Sequence, residues 1–327
     1  MNQSKARITA MGSYVPDKAL TNDDLEKMVD TSDEWIIQRT GIKERRIASK
    51  DEYTSDLSFQ AIQDLLYRSQ KKLDDVDMII VCTLTPDFKT PSVASLLQAK
   101  LGIQHAGALD LNAACAGFTY GLHLANGLIT SGLHKKVLVV GAETLSKITD
   151  YEDRTTCILF GDGAGVALVE FDEQHPSFIA AHVGSEGEKG KHLYSSNFSN
   201  QLFGEEIKAT SHIVQNGREV YKWAVTSVPK GMKSLLDKAS MTLKEVSWFV
   251  PHSANLRMIE SICDRAEFPL EQTLYSLVDY GNTSSATIPL ALTKAHVEGK
   301  LKEGDTILLY GFGGGLSFAG LVIEWGI

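Results

Sequence analysis

Long apolar runs, rather than alternating ones, set the pattern of this chain. VDMIIVCT at 76–83 and KVLVVGA at 136–142 lack the every-second-residue polarity of a half-wet strand, and they read as strands buried on both faces. Residues 55–71 and 115–131 carry helical periodicity between such runs. Helices alternating with covered strands predict an α/β protein with a mostly parallel sheet. The stretch from Ile307 to Ile327 is apolar enough to suggest a membrane span. Its glycines and Glu324 instead predict a strand, a glycine-rich turn and a second strand.

The same order of segments occurs twice. LDDVDMIIVCT begins at Leu73 and LKEVSWFVPHS at Leu243, 170 residues apart. NAACAGFTYGL lies over NTSSATIPLAL at an offset counted as 169, from Ala113 to Asn282. VLVVGA at Val137 lies over ILLYGF at Ile307, again 170 apart. Three segments in one order at nearly one spacing predict two duplicated halves, divided as residues 1–172 and 173–327. The polar stretch from Phe171 to Gly217 has no counterpart in the repeat. It reads as a linking insertion of loop character, either covering a site or lying in solvent.

With 327 residues, 43% of them hydrophobic, the chain has ample material for a core. A net charge of −9 argues against a general nucleic-acid surface but leaves room for a local basic patch. The four cysteines, Cys82, Cys115, Cys157 and Cys263, show no metal-binding or CxxC spacing and read as reduced thiols of a cytoplasmic protein. The opening MNQSKARITAMGSYVP has no apolar core of a secretion signal.

Four places carry candidate chemistry. Cys115 follows an apolar strand (GALDLN) and starts a helix, where unpaired N–H groups and the dipole favour a thiolate. Small neighbours leave room for a thioester. His252 stands just past a strand, in the duplicate position of Cys82, at the kind of strand end where α/β proteins place ligands. Asn282 lies beside Gly281 in a turn that the repeat sets over the cysteine turn. GFGGG at 311–315 follows a strand without the Lys-Ser or Lys-Thr of a phosphate loop, and its N–H groups could face an oxyanion. GDGAG at 161–165 reads as close packing.

Taken together, Cys115 in NAACAGFTYGL, His252 in VPHSANLR and Asn282 in GNTSSA resemble the β-ketoacyl-(acyl carrier protein) synthase III family. DTSDEWIIQRTGIKERRIA, FGDGAG, NGREVYKWAV and YGFGGG extend the likeness over essentially the whole chain. The resemblance implies a thiolase-like fold, two duplicated halves in five αβαβα layers, and a homodimer. It also implies a decarboxylative Claisen condensation that initiates fatty-acid synthesis. A short acyl-CoA acylates Cys115, then malonyl-(acyl carrier protein) loses carbon dioxide and its carbanion attacks the acyl group. His252 and Asn282 would donate hydrogen bonds to the enolate oxygen. The N–H groups of Cys115 and Gly314 would hold the oxyanion, with Phe312 beside the pocket.

The likeness further implies a coenzyme A groove. Trp35 and Arg154 would flank the adenine and Arg39 would meet phosphate. Thr31, Arg218, Tyr221 and Asn255 would line the channel, and Arg257 would dock the carrier protein. No metal or redox cofactor is implied, because the coenzyme A thioester is itself a substrate. One departure stands out: Thr90, in DFKTPS, replaces an aromatic residue that closes the primer pocket from the neighbouring subunit in many relatives. The smaller side chain predicts acceptance of branched four- and five-carbon acyl groups beside acetyl. Three other readings are a relative that transfers its acyl group to a small-molecule acceptor, a thiolase, and a non-catalytic binding subunit. A thiolase would need a second cysteine in a CxG pattern, which the chain lacks. A non-catalytic subunit would be expected to have lost its nucleophile.

Overall fold

The apolar runs build two mixed sheets. In this computed structural model, which describes residues 3–327, one sheet has the order Ala6–Tyr14, Asp162–Phe171, Lys136–Thr144, Met78–Cys82 and Gly107–Leu111. The other has the order Trp248–Pro251, Thr306–Gly313, Ser317–Glu324 and Phe178–Ser185. Met78–Cys82 runs parallel to both of its neighbours, whereas Asp162–Phe171 runs antiparallel to both of its own. The sheets are therefore mixed rather than mostly parallel, because each half ends in a strand that folds straight back on the one before it. The C-terminal hairpin is as expected, with Thr306 opposite Glu324 and Gly313 opposite Ser317.

Layering follows from strands that are apolar on both faces. Ile79 and Val81 pack outward with Leu57, Leu65 and Leu97, from the helices Thr54–Ser69 and Val93–Lys100. Ile80 and Cys82 pack inward with Phe118, Leu122, Ile288 and Leu292, from the helices Gly117–Thr130 and Thr287–Val297. Those two helices share this inner core with Ile307 and Leu309 of the second sheet. Beyond that sheet, Leu308 and Tyr310 pack against Val228, Leu235 and Ile259, from the helices Gly217–Ala239 and Leu256–Ala266. The result is the expected αβαβα stack.

The duplication is more regular than the sequence comparison suggested. The strands starting at Met78 and Trp248, those starting at Lys136 and Thr306, and the helices starting at Gly117 and Thr287 are each 170 residues apart. So are the one-turn 3₁₀ segments Ala114–Ala116 and Ser284–Ala286. Asn282 therefore corresponds to Asn112, not to Ala113, and the 169-residue offset is corrected to 170. Even the strained backbone recurs: Ala114 has φ of 46° and Ser284 has φ of 49°.

The segment 171–217 is not purely a linking loop. Phe178–Ser185 is an edge strand paired with Ser317–Glu324, as Ala6–Tyr14 is paired with Asp162–Phe171. Its half-exposed pattern, with His182, Gly184 and Ser185, concealed it. The remainder forms short two-residue ribbons, Leu193–Tyr194 with Val214–Gln215 and Gln201–Leu202 with Glu205–Glu206. Among the described residues, no helix is long and apolar enough to cross a membrane.

Candidate active site

Both halves contribute to one cavity of about 1340 Å³, lined at its inner end by Cys115, His252, Asn282, Phe312 and Gly314. The segment after Ser185 roofs it through Leu193, Tyr194, Leu202 and Phe203, so it covers the site rather than lying free in solvent. Near the mouth stand Trp35, Arg39, Tyr221 and Asn255.

Cys115 lies in the 3₁₀ turn Ala114–Ala116, and the α-helix begins only at Gly117. This places the sulfur just ahead of the helix N-terminus. Burial nevertheless pushes the thiol up to about 11. The Ser284 hydroxyl and the N–H groups of Gly314 and Cys115 itself pull it back down, and Glu143 pushes it further up. At neutral pH the resting group is a thiol, not the thiolate expected from a helix start, because desolvation outweighs the local donors. The N–H groups of Gly314 and Cys115 lie close enough to the sulfur for each to lower the thiol.

Gly313 explains how the sulfur fits. A Cβ built there would come within 2.7 Å of Cys115 Cβ and 2.8 Å of Sγ. Only glycine clears that space. At Gly161, a Cβ would meet Tyr280 O at 2.2 Å, which bears out the packing role of the GDGAG run. There the chain bridges to Asn282, whose carbonyl accepts from Gly161 N–H at 3.1 Å.

His252 follows the strand Trp248–Pro251, and its N–H donates to Tyr310 O at 2.9 Å. The ring packs edge-on to Phe312 at 5.4 Å. Burial lowers its pKa to about 3, so the ring is neutral. Thr287 Oγ1 donates to Ser284 O at 2.9 Å and lies 2.8 Å from His252 Nδ1. When the threonine's one hydrogen goes to that carbonyl, Nδ1 is the donor to Thr287. The lone pair of the neutral ring is then on Nε2. In that tautomer Nε2 can take up a proton and, once protonated, donate it.

Asn282 is oriented in the opposite sense. Its Oδ1 accepts from Ser284 N–H at 2.9 Å, so the Nδ2 hydrogens are left without a partner among the described residues. This is a standing donor. Asn112, its duplicate, uses Oδ1 in the same way on Ala114 N–H at 3.2 Å.

The groove residues are only partly assembled. Trp35 and Arg39 lie on the helix Asp33–Thr40, capped by the Ser32 side chain, and Arg39 sits 5.8 Å from the Trp35 ring. Arg154 lies over the same ring at 5.3 Å and donates to Asp30 O at 2.7 Å. A base between them needs two contacts of about 3.5 Å, or about 7 Å in all. At 5.3 Å, Arg154 and Trp35 leave no room for a base stacked between them in this arrangement. Asn255 caps the helix Leu256–Ala266 and donates to Arg39 O at 3.1 Å, while Tyr221 bonds Ser261 at 2.7 Å. Thr31 and Arg218 stand outside the cavity lining, and Thr31 Oγ1 is buried without a partner among the described residues. Arg257 is exposed on the same helix. Thr90 is exposed on the surface and does not line the cavity of its own chain.

Three residues were missed by sequence reasoning. Gly313 and Ser284 lay inside quoted motifs but had no individual signal. Glu143, fully buried at the end of Lys136–Thr144, accepts from Leu84 N–H at 3.1 Å, Thr83 Oγ1 at 3.1 Å and Thr85 Oγ1 at 2.7 Å. An acid just after an apolar strand was its only cue.

Comparison with known proteins agrees with this geometry. Residues 109–187 match the sequence family described as 3-oxoacyl-[acyl-carrier-protein (ACP)] synthase III, and residues 236–325 match its C-terminal counterpart. The chain is 70% identical over 325 residues to β-ketoacyl-[acyl-carrier-protein] synthase III 2 of Halalkalibacterium halodurans, covering 99% of this chain and 98% of that one. It is 61% identical to the protein of the same name from Staphylococcus epidermidis, over 99% and 100% of the two chains. The crystal structure of β-ketoacyl-[acyl carrier protein] synthase III from Thermus thermophilus superposes with a TM-score of 0.94 at 46% identity, covering 98% of this chain and 99% of that one.

Proposed function

The chain belongs to the β-ketoacyl-(acyl carrier protein) synthase III family, and from that premise we propose that it is a cytoplasmic homodimeric condensing enzyme that primes fatty-acid synthesis. It joins a short acyl-CoA to malonyl-(acyl carrier protein) through an acyl-Cys115 intermediate. The observation that carries this reading is the convergence of Cys115, His252 and Asn282 from two halves onto one cavity.

In the first half-reaction, His252 Nε2 takes the Cys115 proton. The thiolate attacks the acyl carbonyl, and the N–H groups of Cys115 and Gly314 receive the oxyanion. Collapse expels the coenzyme A thiolate, which takes the proton back from Nε2. In the second, malonyl thioester loses carbon dioxide, and Asn282 Nδ2 donates to the enolate oxygen. The enolate carbon attacks acyl-Cys115. The tetrahedral intermediate expels the Cys115 thiolate, which is protonated from solvent. No step requires a metal or redox group.

Trp35, Arg39, Arg154, Thr31, Arg218, Tyr221 and Asn255 form the coenzyme A channel of this reading, and Arg257 the carrier-protein contact. The homodimer is supported by the edge strand Gly107–Leu111, open on one side, with Leu109 and Phe88 exposed nearby. In such a dimer Thr90 reaches the partner's primer pocket and leaves room for branched acyl groups. The division at 172/173 is supported by every strand of the five-stranded sheet preceding it and every strand of the four-stranded sheet following it.

The direct test is mass spectrometry after incubation with acetyl-, isobutyryl- and isovaleryl-CoA, followed by malonyl-carrier. An acyl adduct on Cys115 that is converted to a ketoacyl product is expected with all three primers. No adduct on Cys115 would remove the enzymatic reading. An adduct without ketoacyl product would move the acceptor to another molecule, and acetyl as sole primer would remove Thr90 from pocket depth.

A further inference from the structure

Ser284 places three groups around the site, and its hydroxyl alone is unused. Its N–H donates to Asn282 Oδ1, and its carbonyl accepts from Thr287, which holds His252. Its Oγ is buried, lines the cavity with Cys115, and makes no hydrogen bond of regular geometry among the described residues, although it lies near enough to the thiol to lower it. The backbone is left-handed, with φ of 49°, a conformation that disfavours any side chain. A buried unpaired hydroxyl on strained backbone is costly twice over, and such costs concentrate where a group acts. Its duplicate, Ala114, adopts the same φ without a hydroxyl, so the fold of the turn does not require one. The two turns pack against each other, which brings this hydroxyl to the nucleophile.

We propose that Ser284 is a further catalytic residue, whose hydroxyl donates a hydrogen bond to Cys115 Sγ when the thiolate forms and again when condensation expels it. The inference rests on the reading of Cys115 as the nucleophile. It agrees with the influences on that thiol: burial raises it most, and the Ser284 hydroxyl is the largest influence lowering it. Two other titratable groups face the sulfur's surroundings. Glu143 comes from the strand Lys136–Thr144, and His252 follows the strand Trp248–Pro251. His252 stays neutral above about pH 3. Glu143 ionises near pH 7 and then raises the thiol in wild type and variants alike.

The test is the pH dependence of iodoacetamide alkylation at Cys115 in the full-length protein, read by peptide mass mapping, together with single-turnover acylation by acetyl-CoA. Ser284→Ala and Ser284→Gly both lose the hydroxyl, and glycine also suits the positive φ. Both should shift the alkylation profile to higher pH by about one unit and slow acylation about 10- to 100-fold, as for loss of a hydrogen bond to a charged group. Their melting temperatures should equal or exceed wild type. Alkylation profiles that overlay wild type in both variants overturn the proposal, even if acylation slows, because the effect would then not be on the sulfur. Should alanine fail to fold, the glycine variant decides alone. Cys115→Ser separates the two levels: full condensation by that variant removes the nucleophile itself, whereas its inactivity beside unaltered Ser284 variants removes only this inference.

Discussion

In the first half, Asn112, Cys115 and Glu143 occupy the positions that Asn282, Ser285 and Gly313 hold 170 residues later. The backbones of the two turns match, yet one presents a thiol to the cavity and the other a hydroxyl bonded into the fold. Ser285 Oγ lies 2.7 Å from Cys82 O and 3.0 Å from Glu143 Oε1. Glu143 thus reaches across and fastens the second half's turn. By the same symmetry, a side chain at 313 would press on Cys115, and a Cβ there already falls within 2.8 Å of Sγ. One half carries the acid that fastens its partner's turn; the other carries the glycine that leaves room for its partner's sulfur. A duplicated fold becomes an asymmetric site through that exchange.

The largest test of this contrast swaps the two turns' chemistry. Cys115→Ser should lower condensation by about 10³-fold or more while keeping the fold, since the side chains are nearly isosteric. Adding Ser285→Cys should restore nothing, because position 285 is directed at Cys82 and Glu143. Recovery of acylation in the double variant, followed by adduct mapping to position 285, would show the turns to be interchangeable.

His252 and Asn282 divide less evenly than the family likeness implies. Asn282→Ala removes the standing donor and should slow malonyl decarboxylation about 10²–10³-fold while sparing acylation. His252→Ala removes the proton acceptor and should slow acylation as well. Acyl-enzyme formation and carbon dioxide release, measured separately, check this. A His252 variant that acylates normally would return the ring to a purely enolate-facing role.

Much of this was legible in sequence because it rests on long-range pattern. The doubly buried strands, the C-terminal hairpin and the duplication are read from hydrophobicity and spacing, and Cys115, His252 and Asn282 stand at strand ends and turns where chemistry is expected. What stayed hidden depends on contact across the halves. Gly313 is one glycine among several until Cys115 is seen against it. Glu143 and Gly313 become a pair only at the true 170-residue register, and counting from Ala113 concealed it. The thiol's state was misjudged because helix position is visible in sequence and desolvation is not. The roof over the cavity was ambiguous because two-residue ribbons leave no periodicity.

Gly313→Ala tests the open side of the contrast with a smaller effect. The added methyl has no flexible neighbour to displace, since it meets Cys115 Cβ and Sγ directly. Overpacking of this kind costs about 1–3 kcal/mol. Stability should fall by that amount and acylation should drop, while the equivalent insertion at the surface glycine Gly127, which meets nothing within 4 Å, should do neither. Denaturant midpoints for the two variants decide it, and equal midpoints would mean that the turn yields.

The closed side gives the subtlest prediction, a change in pH dependence. Ser285 has one hydrogen to share between Cys82 O and Glu143 Oε1, and a proton on the carboxyl lets both contacts be made at once. Burial agrees, raising Glu143 to about 7 from an ordinary 4.5 despite the hydrogen bonds it accepts. Between those values the folded chain holds a proton that the unfolded chain has released, so this group makes stability fall as pH rises. The loss amounts to about 1.4 kcal/mol per unit and about 3 kcal/mol across the window. Below 4.5 both states hold the proton and above 7 neither does, so the slope ends at each side. His252, lowered to about 3 from 6.5, acts oppositely, because the unfolded ring binds a proton that the folded ring refuses. From pH 4.5 to 6.5 the two slopes therefore oppose, and the difference between wild type and Glu143→Gln is the observable. Glutamine keeps an acceptor for Thr83, Thr85 and Leu84 and supplies an N–H toward Ser285, mimicking the neutral acid. Urea midpoints at pH 5, 6, 7 and 8 should show the variant gaining on wild type as pH rises, with the gap levelling off above pH 7. A gap that does not change with pH would mean that Glu143 is ionised throughout, and that the second half's turn is fastened by a charge rather than by a shared proton.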